Sequence, residues 1–151
     1  MQIAVFFYYL QSNIMKIIRS LFLLPMIVGF SGSAFADSET FKIDVSAEGY
    51  RDYILSGTDR NGSVSGNDPT VTVNKGDTII FDIDASLHPF YIKTEFSRGG
   101  GDQVTTGILS GTPVTQNGTL SWNTKGISKG KYYYVCSPHA PFGMGGSIII
   151  E

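Results

Sequence analysis

A chain of 151 residues with 11 basic and 13 acidic side chains has a formal charge of −2, which argues against a nucleic-acid or anionic-membrane partner. Its length suits one compact domain rather than several. A single cysteine excludes an internal disulfide, so any fold must be held by its core alone.

The first 36 residues read as a secretory signal peptide. Met15, Lys16, Ile17, Ile18 and Arg19 form a short basic region, residues 21–30 are apolar, and Ser33-Ala34-Phe35-Ala36 ends in an A-x-A cleavage pattern before the polar Asp37. The apolar run is too short for a membrane span. Residues 1–14 stand ahead of that basic region, which makes Met15 the expected start. No cysteine follows the cleavage pattern and no arginine pair precedes it, so a freely exported periplasmic protein without a membrane anchor is expected. The mature part, residues 37–151, retains all 13 acids but loses Lys16 and Arg19, leaving nine bases and a charge of −4.

Within it no helical stripe is evident. Residues 41–45 alternate and predict a first strand; residues 50–56 predict a second, ended by Gly57. Residues 59–63 and 65–69 are rich in Asn, Asp, Gly and Ser and read as one long turn-rich loop. A strand over 70–73, a tight turn at 74–77 and a strand over 78–84 follow. In the last of these Ile79, Phe81 and Ile83 share one face, and Ile80, Asp82 and Asp84 the other, as in a half-buried strand. Residues 90–93 predict a strand after His88-Pro89. Residues 97–102 read as a solvated loop, and 107–118 as a loop preceded by weak strand character at 103–106. Residues 119–123 alternate with Leu120 and Trp122 together, and 131–136 are aromatic and β-branched. The apolar run 147–150 closes the chain. About eight short strands with frequent turn signals predict an all-β, Greek-key β-sandwich.

The chemistry concentrates near the end. Cys136-Ser137-Pro138-His139-Ala140-Pro141-Phe142-Gly143-Met144 places the only cysteine, one of two histidines and a methionine in nine residues, spaced C-x2-H-x4-M. The other histidine, His88, ends the stretch after the 78–84 strand and can reach the same pole of a sandwich. A free thiol in an oxidising compartment needs burial or a metal. Thiolate, imidazole and thioether together suit copper: two imidazoles and a thiolate form a plane, with a distant thioether on its axis. Zinc accepts Cys and His but takes thioether poorly. His88, Cys136, His139 and Met144 are therefore the expected ligands of one type 1 copper ion. A closed shell of four ligands leaves no place for a substrate, and no nucleophile, base and oxyanion hole assemble around Cys136 and His139, so electron transfer is expected rather than catalysis. Copper storage or delivery is the competing use.

Tyr132-Tyr133-Tyr134-Val135-Cys136-Ser137-Pro138-His139, followed by Met144 and Gly145, resembles the copper loop of the plastocyanin-like cupredoxins. Gly76-Asp77-Thr78-Ile79-Ile80-Phe81 and His88-Pro89-Phe90 resemble that family's first-histidine region. The resemblance implies a cupredoxin sandwich, the same four copper ligands and Cu(I)/Cu(II) cycling. Two departures stand out. In plastocyanins the residue after the first histidine is usually Asn, whose N–H points at the cysteine sulfur; here Pro89 has none, nor has Pro138. A thiolate with fewer donors, and a lowered reduction potential, is the expectation. Plastocyanins often carry an exposed tyrosine just before the cysteine; here Val135 stands there, with Tyr132 and Tyr134 facing inward beside Cys136. The expected electron exit is thus the His139 edge, with Ala140, Pro141, Phe142 and Leu87 forming an apolar patch. A monomer that docks a redox partner transiently there, a cytochrome or a copper or haem oxidoreductase, is expected.

Overall fold

The computed structural model describes residues 37–151; the expected signal peptide over 1–36 lies outside the described residues. Eleven strands and one short 3-10 turn make up this part: β1 (Thr40–Glu48), β2 (Asp52–Asp59), β3 (Gly62–Asn67), β4 (Val71–Val73), β5 (Thr78–Asp84), β6 (Phe90–Lys93), β7 (Ile108–Ser110), β8 (Val114–Thr115), β9 (Asn117–Asn123), β10 (Gly130–Cys136) and β11 (Gly145–Ile150), with the turn at Ala140–Phe142. They form a six-stranded sheet ordered β3-β2-β1-β5-β9-β7 and a five-stranded sheet ordered β4-β11-β10-β6-β8. The β1–β5 and β4–β11 pairs are parallel and join distant parts of the chain. Every other strand pair is antiparallel. The all-β, Greek-key expectation holds.

Alternation decides which side chains enter the core. From the first sheet, Ile43 and Val45 of β1, Tyr53 and Leu55 of β2, Ile79, Phe81 and Ile83 of β5, and Leu120 and Trp122 of β9 are buried. From the second, Val71, Val73, Phe90, Ile92, Tyr134, Cys136, Ile148 and Ile150 belong to the same cluster. Each large apolar side chain so buried contributes roughly 1.5–3 kcal/mol, and these terms stand in for a disulfide. Trp122 is core, as expected, and its indole N–H donates to the Thr106 carbonyl at 3.0 Å.

Three expectations about elements need correction. The second strand does not end at Gly57 but runs to Asp59, and Tyr50 and Arg51 belong to the preceding turn. Gly57 lies where β1 passes so closely that a Cβ would collide with the Lys42 carbonyl, so it is a contact glycine rather than a stop. The expected loop over 59–69 contains β3, an edge strand whose buried apolar side chain is Val64; backbone pairing with β2 holds it. The expected loop over 107–118 contains the short strands β7 and β8 and the start of β9.

Asp77, fully buried at the β4–β5 turn, anchors the first described residues. Its carboxylate accepts Arg60 Nε at 2.8 Å and Nη2 at 2.6 Å, and the N–H groups of Glu39 at 2.9 Å and Asn74 at 2.7 Å. Arg60 also donates to Glu39 Oε1 at 2.6 Å and to the Asp37 carbonyl at 2.7 Å. Burial pushes the Asp77 carboxyl up, but the Arg60 and backbone donors outweigh it and hold it below the ordinary carboxylate range.

Candidate metal centre

β10 delivers Cys136 to one pole of the sandwich with its side chain fully buried. The loop that follows is closed by its own backbone. The N–H of Cys136 donates to the Met144 carbonyl at 3.1 Å, that of His139 to the Cys136 carbonyl at 2.9 Å, and that of Phe142 to the His139 carbonyl at 2.9 Å. Pro141 sits in the first turn of the Ala140–Phe142 3-10 segment, where its missing N–H costs nothing, and Gly143, at φ 99°, ends it. β11 then passes tightly against β10. A Cβ on Gly145 would collide with the Tyr134 carbonyl, and one on Gly146 with the Tyr134 hydroxyl, which explains the glycine pair after Met144.

His88 arrives from a separate turn. Its N–H donates to the Ala85 carbonyl at 2.9 Å, and the Ala85 N–H donates to the Gln116 carbonyl at 2.9 Å. Leu87 adopts a left-handed φ of 70° there, a conformation unfavourable for a bulky side chain, and is 82% exposed.

These elements bring His88, Cys136 and His139 together. Cys136 Sγ lies 3.3 Å from His139 Nδ1 and 3.8 Å from His88 Nδ1, and the two Nδ1 atoms are 3.1 Å apart. Metal–nitrogen and metal–sulfur bonds of about 2.0 and 2.3 Å imply donor separations of roughly 3.3–3.7 Å, so the triangle has the size a first-row ion requires. The donors form a cluster able to hold a metal ion. Met144 is fully buried in the same core cluster as Cys136, and its N–H reaches the His139 carbonyl at 3.4 Å.

The electrostatics prepare the ligands. Burial and the neighbouring His139 lower the His88 pKa, which keeps its ring neutral and able to bind a metal. Burial raises the Cys136 thiol, while the His139 N–H and the Tyr53 hydroxyl pull it back in part. Taking up a metal therefore displaces a proton from the sulfur. Pro89 and Pro138 have no N–H to offer the sulfur.

Two supports of the site were not legible in the sequence. Tyr53 reads there as one apolar member of a strand, and nothing in the pattern marks that its hydroxyl donates to the His88 carbonyl at 3.1 Å. The second support is the loop over 94–102, which is not simply solvated. Lys93 is fully buried, and its ammonium donates to the Ser97 carbonyl at 2.6 Å, Ser97 Oγ at 2.8 Å and the Gly99 carbonyl at 2.8 Å, and pairs with Asp102 Oδ1 at 2.8 Å. The wrapped loop grips the residue after the cysteine: the Gly99 N–H donates to Ser137 Oγ at 2.6 Å. Phe96 closes over Tyr133 with ring centroids 5.8 Å apart. Tyr133 points away from the core, as alternation predicts, and Val135 is fully buried.

At the surface His139 is partly exposed, with Phe142 and Tyr50 beside it. The Tyr50 and Phe142 rings meet edge to face at 5.3 Å, and Tyr50 lies 6.3 Å from the His139 ring. Phe142 is 54% and Tyr50 49% exposed.

The fold and the His-Cys-His cluster are those of a cupredoxin. Residues 54–151 match the model of the copper binding proteins of the plastocyanin/azurin family, and the chain belongs to that family. Its members are small copper proteins that carry electrons rather than catalyse a reaction. No curated protein matches the chain. Similar solved structures include rusticyanin from Thiobacillus ferrooxidans, 19% identical over 76% of this chain and 79% of that one, with a TM-score of 0.43. Amicyanin from Paracoccus versutus is 22% identical over 77% and 83%, with a TM-score of 0.40.

Proposed function

We propose that the protein is an exported, periplasmic type 1 blue copper protein that carries single electrons, with His88, Cys136, His139 and Met144 as the ligands of one copper ion. The observation that carries this reading is the convergence of His88 Nδ1, from one turn, with Cys136 Sγ and His139 Nδ1, from a loop closed by its own hydrogen bonds, all within 3.8 Å of one another. Copper bound by such a set alternates between Cu(I) and Cu(II). The chain's own contribution is to hold three donors at fixed separations, so that the change of oxidation state demands little movement. Burial of Cys136 protects the thiol from oxidation and keeps water from its sulfur. Residues 1–36 serve as the export signal and residues 37–151 as the working domain, which accounts for a lone thiol in an oxidising compartment.

The partner docks at the patch around His139. Phe142, Tyr50 and Pro141 are exposed there, and Leu87 projects next to His88 from a strained backbone that glycine would relieve. An apolar rim around a ligand suits brief contact with a second redox protein.

Titration of the mature protein with Cu(II) tests the assignment. An intense visible thiolate-to-copper charge-transfer band, absent from Cys136→Ser, and reversible one-electron voltammetry are expected. Colourless, readily lost copper would favour storage or delivery instead. Phe142→Lys is expected to leave the band unchanged and to slow electron exchange with a physiological acceptor at least tenfold; unchanged exchange would mean that the partner docks elsewhere.

A further inference from the structure

His88 stands on one of two crossings between the sheets that run side by side. The chain leaves β5 in the six-stranded sheet at Asp84 and enters β6 in the five-stranded sheet at Phe90, passing through residues 85–89. It returns from β8 to β9 through Gln116 alone. Asn117, at the start of β9, lies opposite Asp84, and Thr115, at the end of β8, lies opposite Phe90. Gln116 and Asn117 clasp the first crossing to the second. The Ala85 N–H is shared between the Gln116 carbonyl at 2.9 Å and Asn117 Oδ1 at 3.1 Å. Asn117 Nδ2 donates to Ser86 Oγ at 2.9 Å, and the Leu87 N–H donates to Gln116 Oε1 at 2.9 Å. The Thr115 hydroxyl braces the corner itself by donating to the Asn117 carbonyl at 2.8 Å.

These bonds hold a turn that leucine does not favour. The His88 N–H closes it on the Ala85 carbonyl at 2.9 Å, and Leu87, its third residue, has φ 70°. Turns with a positive φ at that position favour glycine or asparagine. Burial does not compensate, since Leu87 is 82% exposed. A backbone of this kind persists only where its surroundings over-determine it. We propose that Gln116 and Asn117 are positioning residues of the metal centre: they hold the 85–88 turn in its strained form, which sets His88 against Cys136 and His139 and keeps Leu87 projecting beside it. This rests on the copper reading above. Neither residue is itself a ligand; each acts through the turn that carries one. Cys136 and His139 share a single loop off β10, so their separation is set locally. His88 comes from another part of the chain, and tying its crossing to a second one fixes it to both sheets.

Amide hydrogen exchange in the metal-free mature protein reads the turn without any metal. Gln116→Leu removes the acceptor of the Leu87 N–H, and both Gln116 and Asn117 are exposed, so substitutions there leave the core untouched. Exchange of the His88 amide, whose own bond to Ala85 the substitution leaves in place, is expected to rise about tenfold, the scale of one net hydrogen bond. Asn117→Ala should raise it in the same direction. Gln116→Glu keeps an acceptor oxygen and should stay within about twofold of the parent. In a Leu87→Gly background, where glycine takes the same φ without strain, Gln116→Leu should move the His88 amide by less than about twofold. Unchanged exchange in Gln116→Leu and Asn117→Ala, or an equal rise from Gln116→Leu in both backgrounds, overturns the proposal. In the copper-loaded protein Gln116→Leu should release copper to a chelator about tenfold faster than the parent, and Gln116→Glu should not. Release at the parent's rate would overturn the role of the clasp at the metal. A wild-type protein that binds Cu(II) without any thiolate band overturns the copper reading itself, and the metal-free exchange then still decides whether the clasp holds the turn.

Discussion

At the scale of single residues, the site is governed by which groups can donate to one sulfur. Proline at 89 and 138 removes two backbone donors. Pro89→Asn should therefore supply a donor, and its copper protein should have a higher potential than the parent. Equal potentials by redox titration would show that position 89 does not address the sulfur. The ligand residues themselves were legible in the sequence, because soft donors are rare and C-x2-H-x4-M gathers three of them on one loop. Tyr53 was not legible. Its strand position fixes which face it occupies, but the place where a long side chain ends on the opposite sheet is a property of packing across the sandwich.

At the scale of elements, the loop over 94–102 shows how a polar segment can be structural. Sequence alone makes Ser97, Arg98, three glycines and Asp102 look like a solvated turn. The organising group is Lys93 at the end of β6, an ammonium with no exposure that gathers two carbonyls, a hydroxyl and a carboxylate. Burial pushes Asp102 up, but Lys93 and Ser97 outweigh it and keep its carboxyl below the ordinary range. Lys93→Met should cost about 3–5 kcal/mol in chemical denaturation, because it strands the carboxylate and the inward carbonyls without their cation. It should also free the Gly99–Ser137 link, raising hydrogen exchange across 94–102. A loss under 1 kcal/mol would mean the loop holds itself. The strands invisible in sequence are of one kind: β3, β7 and β8 are short, polar or glycine-containing, and lie at or near sheet edges, where pairing rather than an apolar face defines them. The central strands β1, β5, β9 and β10 bury a face and announce themselves by alternation.

At the scale of the whole molecule, two buried charges brace two different regions: Lys93 beside the ligand loop and Asp77 where β1 meets the β4–β5 turn. Asp77 has a pH signature. Its carboxyl is held below its unfolded value, so its contribution is complete above that value and is lost as pH falls through the folded one. Acid unfolding of the wild type should thus steepen below about pH 4, near the ordinary aspartate value. Asp77→Asn should lose about 3 kcal/mol at neutral pH, by leaving Arg60 without its partner, and should show a shallower acid limb. Parallel acid limbs in denaturant titrations from pH 7 to pH 2 would assign acid sensitivity elsewhere. The sheet order has a further consequence, which concerns time rather than energy. β1, the first strand, lies between β2 and β5, and β11, the last, lies between β4 and β10. Neither sheet can close until strands far apart in sequence have met, a topology that slows folding. β4 waits for β11 with Val71 opposite Ile148, and the ligand loop opens directly into that final strand. The ligand loop thus stands directly ahead of the six-residue strand that joins β4 to β10 and completes their sheet.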